Sequence, residues 1–286
     1  MTVNPWGAKV GVSLSPSPTL DEWAQCANRL ILPSSIGTVH DEMDLYLSGL
    51  RFLHPLDVCA ARLTIELASL ASGRVTVHVP SDTDVHTYGT RLDLYQDLPE
   101  NVVLTRPPVR MTRRNHRQRL IELTSIHTAP RLQEFSDHVA QVAEGITQTH
   151  RRLFRHGLVE AADNVIEHAA SPVGALVSAQ RYRGRLEIAV VDAGRGVRAS
   201  LRSRRKYQGL TELEAITAVL EKGATRRVAS GGGGISHLIE LVERHRDASI
   251  ELASGAVVGR ISGSRTPTYR SPTAPIPGTW FTLTLR

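Results

Sequence analysis

Apolar and polar positions alternate along Met43-Asp-Leu-Tyr-Leu-Ser-Gly49, the period of a half-buried strand. Pro55 to Ser72 is rich in alanine and leucine at helical spacing, and Gly73 is placed to close that helix. Val75-Thr-Val-His-Val79 predicts a second strand stopped by Pro80, and Val85 to Leu98 a short amphipathic helix. Strand, helix, strand, helix implies a sheet covered by helices over residues 1–105. A stretch dense in arginine and proline, 106–119, reads as a linker. Beyond it, Leu120 to Ile126 has the pattern of a strand, and helices are predicted over 131–150 and 152–169, the second stopped by Ser171-Pro172. A hairpin follows, Ala175 to Tyr182 and Leu186 to Val191, turning at Arg183-Gly184. Helices over 211–221 and 235–245 and strands over 249–252, 257–261 and 279–285 complete a second unit, 120–286. No internal repeat is visible.

Length and composition agree with two folded α/β units. The chain has 286 residues, 41% hydrophobic and 22% charged, which excludes a disordered protein. No apolar run reaches the ~18 residues of a membrane-spanning helix. The first residues lack a signal-peptide pattern. Cys26 and Cys59 are the only cysteines, so neither a disulfide framework nor a cysteine zinc site is expected, and a cytoplasmic protein is. The formal charge of +6 invites a nucleic-acid reading. Lysine stands only at Lys9, Lys206 and Lys222, however, and the densest cluster (Arg106, Arg110, Arg113, Arg114, Arg117, Arg119) lies in the linker, so nucleic acid is not the favoured partner. Twelve histidines form no zinc-binding pattern; His237 and His245, eight apart, have no carboxylate–histidine set around them.

Three stretches carry candidate chemistry. On the helix Leu158 to Ala169, Glu160, Asn164 and His168 recur at every fourth position and share one face. An amide oxygen suits a Mg²⁺ shell that already holds phosphate oxygens, and a carboxylate one turn away suits a general base. The second stretch is Leu186-Glu-Ile-Ala-Val-Val-Asp-Ala-Gly-Arg-Gly196, a strand ending in DxGxG. A buried carboxylate at a strand end can accept from the exocyclic amine of adenine, and glycines let backbone approach a flat base. The same residues, Gly194 to Ala199, also fit GxGxxA, a dinucleotide-binding turn; the preceding hairpin strand argues against that reading. The third is Ser230-Gly-Gly-Gly-Gly-Ile-Ser-His237, a glycine loop leading into a helix, where free N–H groups suit phosphate.

The order and spacing of these motifs, closed by Gly278-Thr-Trp-Phe-Thr-Leu-Thr-Leu285, resemble the GHKL family of gyrase-type, chaperone-type, histidine-kinase-type and mismatch-repair-type ATPases. The resemblance spans about residues 120 to 286 and implies the two-layer α/β sandwich of the Bergerat ATP-binding fold, with ATP and Mg²⁺ as cofactors. It implies Asn164 as the Mg²⁺ ligand, Glu160 as general base and Asp192 as the adenine reader. Gly194 and Gly196 would line the base pocket, and Gly232 and Gly234 would cradle phosphates. His168, Thr225, Arg226 and Thr279 complete the implied nucleotide contacts, Thr225 and Arg226 in a short lid, Lys222 to Arg227. The spacing Asn-x-x-x-His and the short lid are closest to the anti-sigma-factor serine kinases. Glu167 stands where histidine kinases carry a basic residue, and no phosphoacceptor helix precedes the domain. Ser236 replaces the third glycine of the phosphate loop.

Residues 42 to 99 resemble the STAS fold of anti-sigma-factor antagonists in pattern. His54 and Pro55 stand where the family's Asp and phosphorylatable Ser belong, so the resemblance implies a docking module in place of a phosphorylation switch. A fragment 1–105 is expected to fold alone. The favoured expectation is an ATP-binding regulator acting through nucleotide-dependent contact with a protein partner, with ATPase or protein serine kinase chemistry open, as is a homodimer. The alternatives are a DNA-associated GHKL ATPase and a non-catalytic structural module.

Overall fold

The computed structural model describes residues 10–31, 40–110, 120–142, 148–182, 184–222, 234–263 and 265–286. Its first half is a run of parallel strands joined by helices: β1 (Val10–Ser13), α1 (Leu20–Ile31), β2 (His40–Tyr46), α2 (Pro55–Ala71), β3 (Ser72–His78), α3 (Thr83–Arg91) and β4 (Val102–Leu104). The strands pair in the order β1-β2-β3-β4, each parallel to its neighbour. The second half is β5 (Leu120–Ile126), α4 (Ala129–Val142), α5 (Gln148–Asn164), β6 (Ala175–Tyr182), β7 (Arg185–Val191), α6 (Gly196–Leu201), α7 (Glu212–Lys222), α8 (Gly234–Glu243), β8 (Ala248–Gly255), β9 (Val257–Ser262), β10 (Thr268–Arg270) and β11 (Ile276–Leu285). Its seven strands run β10-β9-β8-β11-β7-β6-β5 and are antiparallel throughout. The protein is therefore of α/β class, with one parallel and one antiparallel sheet.

Helix α2 explains how the two sheets meet. Thirteen of its 17 residues are buried, too many for a helix with one face in water. One side packs on α1 and on β3, the other on β6 and β7. The resulting core is continuous: Trp23, Val58, Cys59 and Leu63 from the first half join Leu176, Ala189, Val191, Ala253 and Trp280 from the second. The far face of the seven-stranded sheet has its own core, where α4, α5, α7 and α8 bury Phe135, Phe154, Leu158, Val219 and Leu238 against Ile188, Ile250, Phe281 and Leu283. Strands β6 and β7 are consequently buried on both faces over most of their length, the polar Ser178, Gln180 and Glu187 included. The halves expected as separate domains each build one sheet but share one core. In a 1–105 fragment the α1–α2 face would lose the sheet it packs on.

Polar groups fasten this junction. Gln180 Nε2 donates to Leu53 O at 3.1 Å, and Arg270 Nη1 donates to Asp21 Oδ2 at 2.8 Å. Leu123 N donates to Leu92 O at 2.9 Å, so the edge strand β5 is partly covered by the turn after α3. His54 caps α2, with Pro55 at its first position and the Asp57 carboxylate reaching back to His54 N at 2.9 Å. The His54 ring sits 2.8 Å from Glu187 Oε2 on β7, and Arg185 also pairs with Glu187. The position expected to carry a phosphoacceptor in a switch is thus inside the contact between the halves.

This junction has a pH signature. Hydrogen bonding to Glu187 raises the His54 pKa, with burial opposing it. A raised histidine stabilises the fold fully below its unfolded pKa of about 6.5, and the contribution fades as pH rises through the folded value. His54→Gln is expected to flatten the fall in stability just above that pH, a small effect because the ring is half exposed. Urea melts of both proteins between pH 6 and 8.5 check it, and parallel curves would assign the pH dependence elsewhere.

Three expected boundaries move for local reasons. Gly73 lies within β3 and does not cap α2: the chain turns extended at Ser72 (φ −144°, ψ 159°), so no left-handed cap is needed. The helix expected over 85–98 is Thr83–Arg91, begun by the Asp82 side chain accepting from Asp84 N and Val85 N. It gives way to turns in which Asp93 and Asp97 take positive φ. The helix expected to 169 changes to one π-helical turn, Val165–Ala169, and ends in left-handed Ala170.

Candidate functional site

At the end of the central strand β7 stands Asp192, a carboxylate only 1% exposed. β7 places it there between β11 and β6, both antiparallel, which excludes the βαβ context a dinucleotide-binding turn requires. Asp192 Oδ1 accepts from Gly194 N at 2.6 Å, and Thr279 on β11 donates both its backbone N–H and its hydroxyl to the same carboxyl group. Burial nevertheless dominates and pushes the Asp192 pKa up to about 7.

Glycine is required around this carboxylate by close contact. A Cβ on Gly194 would collide with the carbonyl of Ala169, the residue that ends the π-helical turn. Gly278 has φ +71°, and a Cβ there would strike Asp192 itself. Arg195 N donates to Ala169 O at 2.8 Å, so the DxGxG turn is clamped to the π-helical turn that follows α5. Ser254 adds a brace, donating to Gly278 O at 2.7 Å while accepting from Val197 N at 3.0 Å. Gly194→Ala is therefore expected to cost about 1–3 kcal/mol through overpacking. Thermal denaturation measures this, and an unchanged midpoint would mean that α5 can retreat from the turn.

A cleft of about 720 Å³, mouth included, opens over this carboxylate. Its walls are mostly apolar, with Ala161, Val165, Val197, Leu201, Leu252 and Phe281 among them. The polar groups converging on it are few: Asn164, His168, Asp192, Ser200 and Thr279. That composition suits a flat, largely apolar ligand oriented by a few hydrogen bonds. Asn164 Nδ2 donates back to Glu160 O at 2.8 Å, leaving its amide oxygen as the group with ligating capacity. The π-helical turn immediately after Asn164 widens the helix where it meets the cleft, a distortion frequent at functional sites.

The expected site residues divide into three groups. Asn164, His168, Asp192, Gly196 and Thr279 line the one cleft, and Gly194 supports its floor. Glu160 does not line it; one turn back along α5, it borders a neighbouring groove with Arg151, Arg152 and Arg155. Thr225, Arg226 and Gly232 lie outside the described residues, and Gly234 is the first residue of α8. No group of three or more His, Cys, Asp or Glu side chains that could hold a metal ion occurs among the described residues, so a cation here would need oxygens from its ligand. Sequence reading misses Ser254 and Ala169, whose roles come from packing across the turn and leave no motif. No described helix is long and apolar enough to cross a membrane. No protein-family model matches the chain, and no curated protein matches it in sequence.

Proposed function

We propose that this chain is a cytoplasmic ATP-binding regulator of the GHKL class, with a STAS-like N-terminal layer, that acts by nucleotide-dependent contact with a protein partner. The observation that carries the reading is the buried Asp192 carboxylate against an apolar cleft, in a turn whose glycines pack tightly on neighbouring backbone. Its oxygens offer about four acceptor positions, and the three named donors leave capacity for the amine of adenine. Asn164, which lines the same cleft, has the donor type to complete a Mg²⁺ shell made chiefly of phosphate oxygens and water. Bound there, Mg²⁺ would neutralise phosphate charge.

Binding has more support than turnover, because Glu160, the expected base, borders the groove beside the cleft. Calorimetric titration with ATP, with and without Mg²⁺, tests the reading. One-to-one binding that tightens with Mg²⁺ is expected, with the Mg²⁺-dependent part lost in Asn164→Ala and binding retained in Glu160→Ala. Absence of ATP binding by the wild type would favour a structural module, and salt-sensitive retention on DNA would favour the nucleic-acid alternative.

A further inference from the structure

The groove beside the cleft has a chemistry of its own. Between α4 and α5 it encloses about 920 Å³, mouth included, and shares no lining residue with the cleft over Asp192. Arg151, Arg152 and Arg155 line one end, joined by the Gln148 amide and the Ser136 hydroxyl. Three arginines and two neutral polar residues thus line one concave space, and Arg151 and Glu160 also hold interactions of their own. Arg152 and Arg155 are exposed, and neither is in an ion pair with another described residue. At the other end stands Glu160. Glu160 lies five positions beyond Arg155, about 7.5 Å along the helix axis. The groove is therefore bipolar, with a strongly cationic end and an anionic end a short molecule apart.

We propose that this groove is a binding site for a small phosphate monoester whose organic end carries an ammonium or hydroxyl donor. The phosphate takes the arginine end, where guanidinium forks meet its oxygens bidentately. The donor at the far end meets the Glu160 carboxylate. A bare phosphate uses only the first end. A peptide or nucleic-acid strand of repeated negative charge meets Glu160 as a like charge, which counts against both. The proposal does not depend on nucleotide in the cleft.

Calorimetry on the full chain at constant ionic strength tests it, with 2-aminoethyl phosphate and inorganic phosphate as probes. The expected results are one-to-one binding of 2-aminoethyl phosphate, competition by inorganic phosphate, and weaker affinity for the latter. Arg152→Gln with Arg155→Gln is expected to cost at least about tenfold in affinity for both probes. These side chains lie on an exposed helix face, so the double variant is expected to keep the parent's melting temperature. Glu160→Gln should weaken 2-aminoethyl phosphate and leave inorganic phosphate unchanged or tighter. Asp192→Asn should alter neither, which separates this site from the cleft. No heat at millimolar probe, or equal affinity in the double arginine variant, would overturn the proposal. So would tighter binding of an oligonucleotide or a polyglutamate peptide at the same arginines.

Discussion

Residues 120–286 produced alone are expected to be insoluble or to lose cooperative unfolding. The outer face of the seven-stranded sheet presents Leu176, Val191, Val258, Ile276 and Trp280, each at most 3% exposed in the whole chain because α1 and α2 cover that face. Each such side chain left in water forgoes roughly 2 kcal/mol, so five together forgo about 10 kcal/mol, as much as the whole stability of a typical domain. The complementary fragment 1–105 fails for the same reason, since Trp23, Val58, Cys59 and Leu63 belong to the same shared core. Co-expression of the two pieces should restore a soluble complex, because the interface resembles a domain core cut in half. Light scattering and a urea melt of each fragment check this. A monomeric, cooperatively folded 120–286 would show that the shared core is dispensable and that the halves are domains in the ordinary sense.

The strands and helices of the second half were legible from periodicity because most carry a clean two- or 3.6-residue pattern. The shared core was not, and α2 shows why. Its Ala- and Leu-rich stretch reads equally well as a helix buried on one side or on two, and only the partner sheet decides between them. β6 and β7 hid it as well: Ser178, Gln180, Arg185 and Glu187 all fall on the face turned toward α2, so the hairpin reads as having one polar face although most of that face is buried. Short elements escaped for a different reason. β1, β4 and β10 have three or four residues each, too few for alternation to emerge. At the site, Asp192, Asn164 and their glycines were legible because close approach and a buried acceptor demand particular residue types. Spacing alone put Glu160 on the same helix face as Asn164, but a cleft that ends between two turns separates residues that a helical wheel joins.

Asp192→Asn is expected to remove two opposite pH dependences at once. Burial holds the Asp192 carboxyl at about 7, against 3.8 for the free group. Between those values the folded protein binds a proton that the unfolded chain has released, so stability falls as pH rises through this window and levels off above it. The full difference is on the order of 4 kcal/mol. An amide cannot ionise, so the Asp192→Asn protein should lose this part of the fall and keep only the slopes of other groups, His54, Asp57 and Glu251 among them. Its gain at pH 8 is reduced by about 1 kcal/mol, because the amide offers one acceptor oxygen where Thr279 and Gly194 now find two. Nucleotide binding runs the other way. An amine donor prefers the ionised acceptor, so wild-type affinity for ATP should rise about tenfold from pH 6 to pH 8 as the carboxylate population grows. In the variant, affinity should be sharply lower at both pH values and flat between them. A carboxylate kept ionised at a cost in stability, and recovered as ligand affinity, is what a binding residue does and a structural one does not. Urea melts and calorimetry on the same two proteins at pH 5, 6, 7 and 8 check both halves. A wild-type stability profile parallel to the variant's would mean that Asp192 titrates normally, and unchanged ATP affinity in Asp192→Asn would remove it from the nucleotide site.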